Sequence, residues 1–297
     1  VNPIRSNYSL GLLGFPLGHS LSPLLHQAAL QASGLSGEYA LYPVPPLPGG
    51  SRGLSALLDR LRQGELQGLN VTIPHKQSVL PLIDHVTATA RSIGAVNTLY
   101  CDESGRLSGE NTDAPGFLAD LDRQFPAFTN KKAIILGAGG AARAVVYALA
   151  KAGWQVHVAA RRPDQAGTLA SSFVSLCGSN ITFSAMDRAA LQLHSAGCSL
   201  IVNTTPSGMS PDVRANPWPA DTALPAQACV YDLVYNPPET ALVRTARDGG
   251  LPACNGLGML VEQAALSFEI WTGKKVACSD LLNALPENYL HATRSLQ

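Results

Sequence analysis

The sequence contains no C-x-x-C pair, no H-x-x-x-H pair and no apolar stretch long enough to cross a bilayer as a helix. The first two absences remove the usual spacings of zinc and redox sites, so no metal site is expected. The six cysteines, Cys101, Cys177, Cys198, Cys229, Cys254 and Cys278, are scattered and read as reduced, mostly buried small hydrophobes. Neither sign of charge is in excess, with 21 basic against 21 acidic side chains, and no basic run is longer than a pair. That balance argues against nucleic acid or an anionic membrane and leaves small molecules as the expected partners. The opening VNPIRSNYSLGLLG lacks the long apolar core of a signal peptide, and the most apolar region is broken by Arg143, so a cytoplasmic protein is expected. No repeat or low-complexity tract is present, and a length of 297 residues suits about two domains.

What is there centres on residues 132–151, KAIILGAGGAARAVVYALAK. Ile134, Ile135 and Leu136 read as a strand, and Val145, Val146, Leu149 and Ala150 as the apolar face of a helix. Between them, Gly137, Gly139 and Gly140 lie where the backbone must bend and let main-chain N–H groups approach a pyrophosphate. Ala142 takes the third small position of G-x-G-x-x-A. Many loops share that spelling, but a strand before it, a helix after it and a second strand, QVHVAA from Gln155, supply the βαβ context. The second strand ends in Arg161-Arg162, where a fold that prefers NAD usually has an acidic residue for the ribose 2′-hydroxyl. Two guanidiniums suit a 2′-phosphate, so NADP is the expected cofactor, with Asp164 near enough to leave some NAD use open. The plain alternative is a solvated arginine pair at a helix start.

Near the amino terminus, LGLLGFPLGHSLSPLLHQAALQASG reads as a strand ending at Gly14, a tight loop with Ser20, and a helix opened by Pro23 with Ser22 as its N-cap. The two serines have a structural explanation as they stand, yet hydroxyls at a helix N-terminus also suit a carboxylate. Leu54 to Leu66 reads as an amphipathic helix. In GLNVTIPHKQSVLPLID a strand delivers Asn70 and Thr72, turns at Pro74 and presents Lys76. GAVNTLY then places Asn97 near a strand start, and SGENTDAPGF places Asp113 just before a helix, where it is either a cap or the partner of Lys76. A Lys/Asp pair lined by Asn, Thr and Ser is the kind of surface that grips a polyhydroxylated ring.

Taken together, GFPLGHSLSP, NVTIPHK, GAVNT, GENTDAPGF, GAGGAARA, VNTTPSGM, DLVYNPPET and MLVEQAALSFEIWTG resemble, in order, the shikimate dehydrogenase family over nearly the whole chain. The resemblance implies two α/β domains: a substrate-binding domain over 1–112, a Rossmann-like NADP-binding domain over 113–255, and helices over 256–297 that complete the first. It implies that Lys76 and Asp113 are the catalytic pair, that Ser20 and Ser22 hold the substrate carboxylate, and that Asn70, Thr72, Asn97 and Gln263 surround the ring or its hydroxyls. Tyr235 is implied near both the carboxylate and the nicotinamide. On the cofactor side the resemblance implies the turn Gly137, Ala138, Gly139, Gly140, Ala141 and Ala142, with Arg161 and Arg162, Thr204, Thr205, Met209 and Gly256. Ala160-Arg161-Arg162 stands where the family often has Asn-Arg-Thr, which leaves the main arginine in place and loosens the NADP-over-NAD expectation.

The remaining chain suits that reading. ITFSA, SLIVNTTPSGM and CVYDLVY are further short strands of a parallel sheet, and ETALVRTARDGG is a helix ending at Gly249-Gly250. The expected reaction is reversible hydride transfer between NADPH and the 3-oxo carbon of 3-dehydroshikimate, with shikimate as product, no metal, and the proton handled jointly by Lys76 and Asp113. Two rivals stand beside it: a quinate/shikimate dehydrogenase using NAD or NADP, and a non-catalytic sensor of shikimate-pathway ligands on the same fold. A monomer or homodimer is expected.

Overall fold

The computed structural model describes residues 7–125 and 128–289. The chain divides into two units, one running up to Gly116 and joined by Leu260–Pro286, the other comprising Phe117–Met259 with the chain from Glu287. Residues 290–297, the end of the expected carboxyl-terminal segment, lie outside the described residues.

The first unit carries β1 (Tyr8–Gly14), α1 (Ser22–Ala32), β2 (Gly37–Pro43), α2 (Ser51–Arg62), β3 (Gly68–Val71), β4 (His85–Val86), α3 (Ala88–Ile93), β5 (Thr98–Cys101) and β6 (Leu107–Glu110). Its six-stranded sheet has the order β2-β1-β3-β5-β6-β4, parallel through β1, β2 and β3 and antiparallel on both sides of β5. β1 is apolar and almost wholly buried, as a strand covered on both faces must be. Leu54, Leu57, Leu58 and Leu61 of α2 pack with Leu69, Val71 and Leu99 of β3 and β5. The helix stops at Arg62, short of the expected Leu66, because Gly64 turns the chain at φ +73°. Leu66 stays in the core, but from the connection to β3.

Aromatic side chains close the other face of this sheet. His26 stacks on Tyr39 with centroids 4.3 Å apart and 4° between planes, and Trp271 lies 5.2 Å from the imidazole. Trp271 packs against the bare backbone of Gly68, where a Cβ would overlap the indole, and donates Nε1 to the Leu99 carbonyl at 3.1 Å. His26 is fully buried, and among the described residues neither ring nitrogen has a hydrogen-bond partner. Burial pushes its pKa down to about 3, partly opposed by the neighbouring Asn70.

The second unit begins within α4 (Asp113–Gln124) and continues through β7 (Lys132–Leu136), α5 (Gly140–Lys151), β8 (Gln155–Ala160), α6 (Pro163–Ser172), α7 (Val174–Cys177), β9 (Ile181–Ala185) and α8 (Arg188–Ser195). β10 (Leu200–Asn203), β11 (Cys229–Asp232), α9 (Ala241–Asp248) and β12 (Ala253–Asn255) follow, with the start of α10 (Leu257–Thr272); a short helix, α11 (Cys278–Asn283), belongs to the first unit. All six strands are parallel in the order β12-β11-β10-β7-β8-β9. Counted along the chain this is the 3-2-1-4-5-6 order of a doubly wound Rossmann sheet, with its switch point between β7 and β10. β11 stops at Asp232, so the expected strand through Tyr235 is shorter than its apolar sequence suggests: Val234 donates its N–H to the Asp232 side chain instead of to a ladder. Asp120 of α4 is wholly buried, accepting from the Tyr231 hydroxyl at 2.5 Å and from Arg123, and only glycine fits opposite it at Gly258.

Five cysteine side chains are described, and all are free. Cys198 and Cys254 are buried as expected, whereas Cys101, Cys229 and Cys278 are half-buried because each sits at the end of a strand or helix. The Cys177 side chain lies outside the described residues. No helix among the described residues is long and apolar enough to cross a membrane.

His26 has a measurable consequence for acid stability. The unfolded chain binds a proton on this imidazole below about pH 6.5, and the folded chain cannot until about pH 3, so stability falls by about 1.4 kcal/mol per pH unit through that window. Urea unfolding at pH 7, 6 and 5 should therefore show a shallower acid slope for His26→Leu than for the wild type. Equal slopes would mean that the folded protein already accommodates the charged imidazole.

Candidate active site

In the first unit the carboxyl ends of β1, β3 and β6 and the start of β5 share one edge, since β5 runs antiparallel to its neighbours. That edge collects Ser20, Ser22, Asn70, Thr72, Lys76, Asn97 and Asp113. The turn after β3 is held by the Thr72 N–H on the Leu13 carbonyl and the His75 N–H on the Thr72 carbonyl. His75 is buried with Nε2 on the Val44 carbonyl at 2.8 Å, and the Lys76 carbonyl accepts from Val96. Backbone and side-chain anchors on both sides thus aim Lys76 at the start of α4.

Lys76 Nζ donates to Asp113 Oδ2 at 2.5 Å, with side-chain exposures of only 13% and 6%. Asp113 is the first residue of α4, but Asn111 does the capping, accepting from the Ala114 N–H at 3.1 Å. The Asp113 carboxylate is thereby left for Lys76 and for Asn97, whose Nδ2 donates to Oδ1 at 3.0 Å. Asn97 is itself fixed: its Oδ1 accepts from the Thr112 N–H at 2.7 Å and from the Thr98 hydroxyl at 3.1 Å. The same Nδ2 lies 2.8 Å from Thr112 Oγ1 and 3.3 Å from Gln263 Oε1, so Gln263, on one face of α10, reaches the cluster.

Asn70 is committed to protein partners at both ends of its amide. Oδ1 accepts from the Tyr39 hydroxyl at 2.8 Å, and Nδ2 donates to the Asn97 carbonyl and to Ser267 Oγ. Ser22 is not the N-cap that its sequence position suggests. Leu21 is already helical and occupies the cap position without a side-chain bond, and Ser20 Oγ accepts the Ser22 N–H at 3.2 Å. Ser22 is buried at the first turn, Ser20 and Thr72 are half-buried, and all three stand at the same edge as Lys76.

Tyr39, Thr98, Thr112 and Ser267 complete the polar cluster without having been singled out from sequence. Ser267 Oγ meets Thr98 Oγ1 at 2.8 Å and Thr112 Oγ1 at 3.0 Å. One signal for it was present: Ser267 follows Gln263 by four residues on a mostly apolar helix, so the two share a face. Tyr39 alternates inward on β2 like any core aromatic, and nothing in its sequence context marks its hydroxyl.

In the second unit the carboxyl edge of the sheet gathers the residues expected on the cofactor side. Gly137 follows β7 at φ +111°, and a Cβ there would come within 2.6 Å of Thr204 Oγ1 from the turn after β10, so the switch point is closed by a residue that only glycine satisfies. Gly139 caps α5 and faces open space, with Ala138, Gly140 and Ala141 half-buried around it and Ala142 buried beneath. Bare N–H groups at a helix start beside open space fit a pyrophosphate. Arg161 and Arg162 follow β8, both exposed and, among the described residues, without an acidic partner. Thr204 Oγ1 donates to the Leu136 carbonyl at 2.7 Å and Thr205 Oγ1 to Asn203 Oδ1 at 2.7 Å, while Met209 is exposed farther along the same loop. Tyr235 is half-buried beyond β11, in the second unit. A Cβ on Gly256 would overlap the Leu233 carbonyl oxygen, which explains the glycine after β12. Among the described residues no group of three or more His, Cys, Asp or Glu side chains could hold a metal ion.

Known proteins resemble this chain along most of its length. Residues 12–99 match the shikimate dehydrogenase substrate-binding domain, 120–205 the shikimate/quinate 5-dehydrogenase model, and 256–277 the shikimate 5′-dehydrogenase C-terminal domain. The NADP(+) shikimate dehydrogenase of Salinibacter ruber is 42% identical over 279 residues, covering 92% of this chain and 95% of the relative. The crystal structure of Thermus thermophilus shikimate 5-dehydrogenase, in complex with NADP(H) and shikimate, superposes with a TM-score of 0.81 at 37% identity, over 96% of this chain and 99% of that one. Quinate dehydrogenase from Corynebacterium glutamicum in complex with NAD gives a TM-score of 0.84 at 32% identity, over 94% of this chain and 99% of that one. With domain models matched in chain order and a relative above 40% identity spanning nine-tenths of its length, the chain belongs to the shikimate dehydrogenase family.

Proposed function

We propose that the protein catalyses the reversible NADPH-dependent reduction of 3-dehydroshikimate to shikimate. The observation that carries the reading is the little-exposed Lys76–Asp113 pair with Asn97 on the second carboxylate oxygen. When bound, NADPH supplies a hydride to the ring carbonyl carbon. As negative charge grows on the carbonyl oxygen, the Lys76 ammonium stabilises it and gives it a proton; in the reverse direction neutral Lys76 takes the proton back. Asp113 orients that ammonium, and because its Oδ1 is occupied by Asn97 it keeps one rotamer through the proton's departure and return. Ser20 and Ser22 at the start of α1 offer hydroxyls and a helix N-terminus to the substrate carboxylate. Thr72, Asn97 and Gln263 offer polar groups to the ring hydroxyls, with Asn70 holding Asn97 from behind.

For the cofactor, the glycine turn and α5 would hold the pyrophosphate, Arg161 with Arg162 the 2′-phosphate, and Thr204, Thr205, Met209 and Gly256 the nicotinamide half, with Tyr235 near the reacting end. The unpartnered arginines favour NADP over NAD, because a guanidinium with no carboxylate of its own is free to pair with a phosphate. A second reading, a quinate/shikimate dehydrogenase that uses NAD, has the Corynebacterium glutamicum relative in its favour.

Steady-state kinetics with shikimate and quinate, each with NADP and NAD, separate the two. Shikimate with NADP should be the best pairing by kcat/KM, and a preference for quinate with NAD would overturn the proposal. Lys76→Ala or Asp113→Asn should lower kcat by roughly a hundredfold or more with a smaller change in KM for shikimate, the range usual for general acid/base groups. Equal losses in both constants would assign the pair to binding. Removing Lys76 also strands a buried carboxylate, so circular dichroism should accompany the kinetics. Arg161→Ala should raise KM for NADP about tenfold or more while sparing NAD, since a charge-assisted pair to a phosphate is worth on the order of 1.5–3 kcal/mol. If both cofactors weaken alike, Arg161 serves the shared adenosine portion.

A further inference from the structure

The carboxyl edge of the second unit's sheet carries a row of three buried Asx side chains to which the proposed reaction gives no task. Asn203, Asp232 and Asn255 are the last residues of β10, β11 and β12, and the register places Asn203 beside Asp232 and Asp232 beside Asn255. Their exposures are 0%, 0% and 6%. Each accepts the backbone N–H two residues ahead: Thr205 on Asn203 Oδ1 at 2.9 Å, Val234 on Asp232 Oδ1 at 3.0 Å, and Leu257 on Asn255 Oδ1 at 3.0 Å. The side chain that closes each strand therefore sets the turn that follows it. Those turns are the ones that present Thr204 and Thr205, Tyr235, and Gly256.

Asp232 differs from its neighbours in tying elements together. Its Oδ1 also accepts from Asn203 Nδ2 at 2.8 Å, which points Asn203 Oδ1 at the Thr205 N–H and hydroxyl. Its Oδ2 accepts from Thr240 Oγ1 at 2.6 Å, and that same hydroxyl caps α9 by accepting from the Val243 N–H at 3.2 Å. A carboxylate this deep is unfavourable, and burial pushes the Asp232 pKa up to about 6 against the opposing pull of Thr240, Val234 and Asn203. An apolar residue would avoid that cost, so the acid is explained by what it joins: the loop after β10, the turn after β11 and the start of α9.

We infer that Asp232 is a positioning residue for the cofactor, holding the Thr204–Thr205 turn and the Val234–Tyr235 turn at one fixed spacing through Asn203 and the main chain. The inference rests on the cofactor reading proposed above. It does not require Asp232 to touch NADPH, and it makes a definite statement about the amide: in Asp232→Asn, Oδ1 still accepts from Asn203 and Val234, and the new NH2 donates to the Thr240 hydroxyl, which can accept as well as donate. Asp232→Ala loses all of these bonds at once.

The test uses the full chain with Asp232→Ala, Asp232→Asn and Asn203→Ala, measuring NADPH affinity by fluorescence titration alongside kcat and both KM values. For Asp232→Ala the NADPH dissociation constant and KM should rise about tenfold or more while KM for shikimate moves less than about twofold, a change of the size expected when hydrogen bonds to a charged group are lost. Asp232→Asn should stay within about threefold of the wild type on every constant. Asn203→Ala, which removes the bonds to Thr205, Ser207 and Asp232 but leaves Asp232 on Val234 and Thr240, should shift NADPH in the same direction and serves if Asp232→Ala does not fold. Wild-type NADPH affinity in folded Asp232→Ala or Asn203→Ala, a parallel rise in both KM values, or failure of asparagine to rescue overturns the inference alone. Absence of saturable NADPH binding by the wild type overturns the cofactor reading and the inference with it.

Discussion

The first unit depends on keeping one pair of opposite charges, Lys76 and Asp113, almost out of water. A buried charge that loses its partner costs several kcal/mol, so the surroundings must supply donors to the carboxylate and hold the ammonium in reach. Asn97 meets the first need at Oδ1, and the anchored turn from Thr72 to Lys76 meets the second. Each solution then needs its own support. Asn97 is oriented by Thr112 and Thr98, those hydroxyls share Ser267, and Ser267 and Tyr39 between them fix the amide of Asn70. Polar groups in a site of low dielectric are costly when partly satisfied and rigid when fully satisfied, and this cluster is close to the second condition.

The second unit answers to a different constraint, the close approach of neighbouring turns at the sheet's carboxyl edge. Gly137 against Thr204 and Gly256 against Leu233 leave no room for a Cβ, and the space saved by Gly139 opens outward from the start of α5. The parallel order puts β7 next to β10, so the glycine turn and the Thr204–Thr205 turn meet at the switch point where ligands of doubly wound sheets bind. Asp232 and Asn203 hold that edge from beneath.

Much of this was legible in the residues themselves. Gly137, Gly139 and Ala142 announced the turn by their spacing, Gly137 being the position where a Cβ has no room, and the apolar spacing of α5 announced its buried face. Local reading failed where a side-chain bond or a backbone dihedral within a residue or two overrode the apolar pattern. Ser22 is displaced from the N-cap because the chain turns helical one residue earlier, and Ser20 takes its N–H. α2 ends early because Gly64 adopts a left-handed conformation that the leucine pattern cannot show. The strand expected through Tyr235 ends at Asp232 because that side chain captures the next available N–H.

The sequence by itself pointed to two α/β units and a tight glycine turn, because backbone freedom and helical periodicity are local properties of a chain, and the Lys76–Asp113 pair was legible only through the order of motifs that the chain shares with its family. Only the tertiary structure decided which polar groups remain for a ligand. Asn70 and Ser267 stand 197 positions apart and still share a hydrogen bond, and it is that bond, with the Tyr39 hydroxyl, that turns Asn70 inward. A side-chain amide or hydroxyl carries no label for its partner until the fold has brought every competing donor and acceptor into reach.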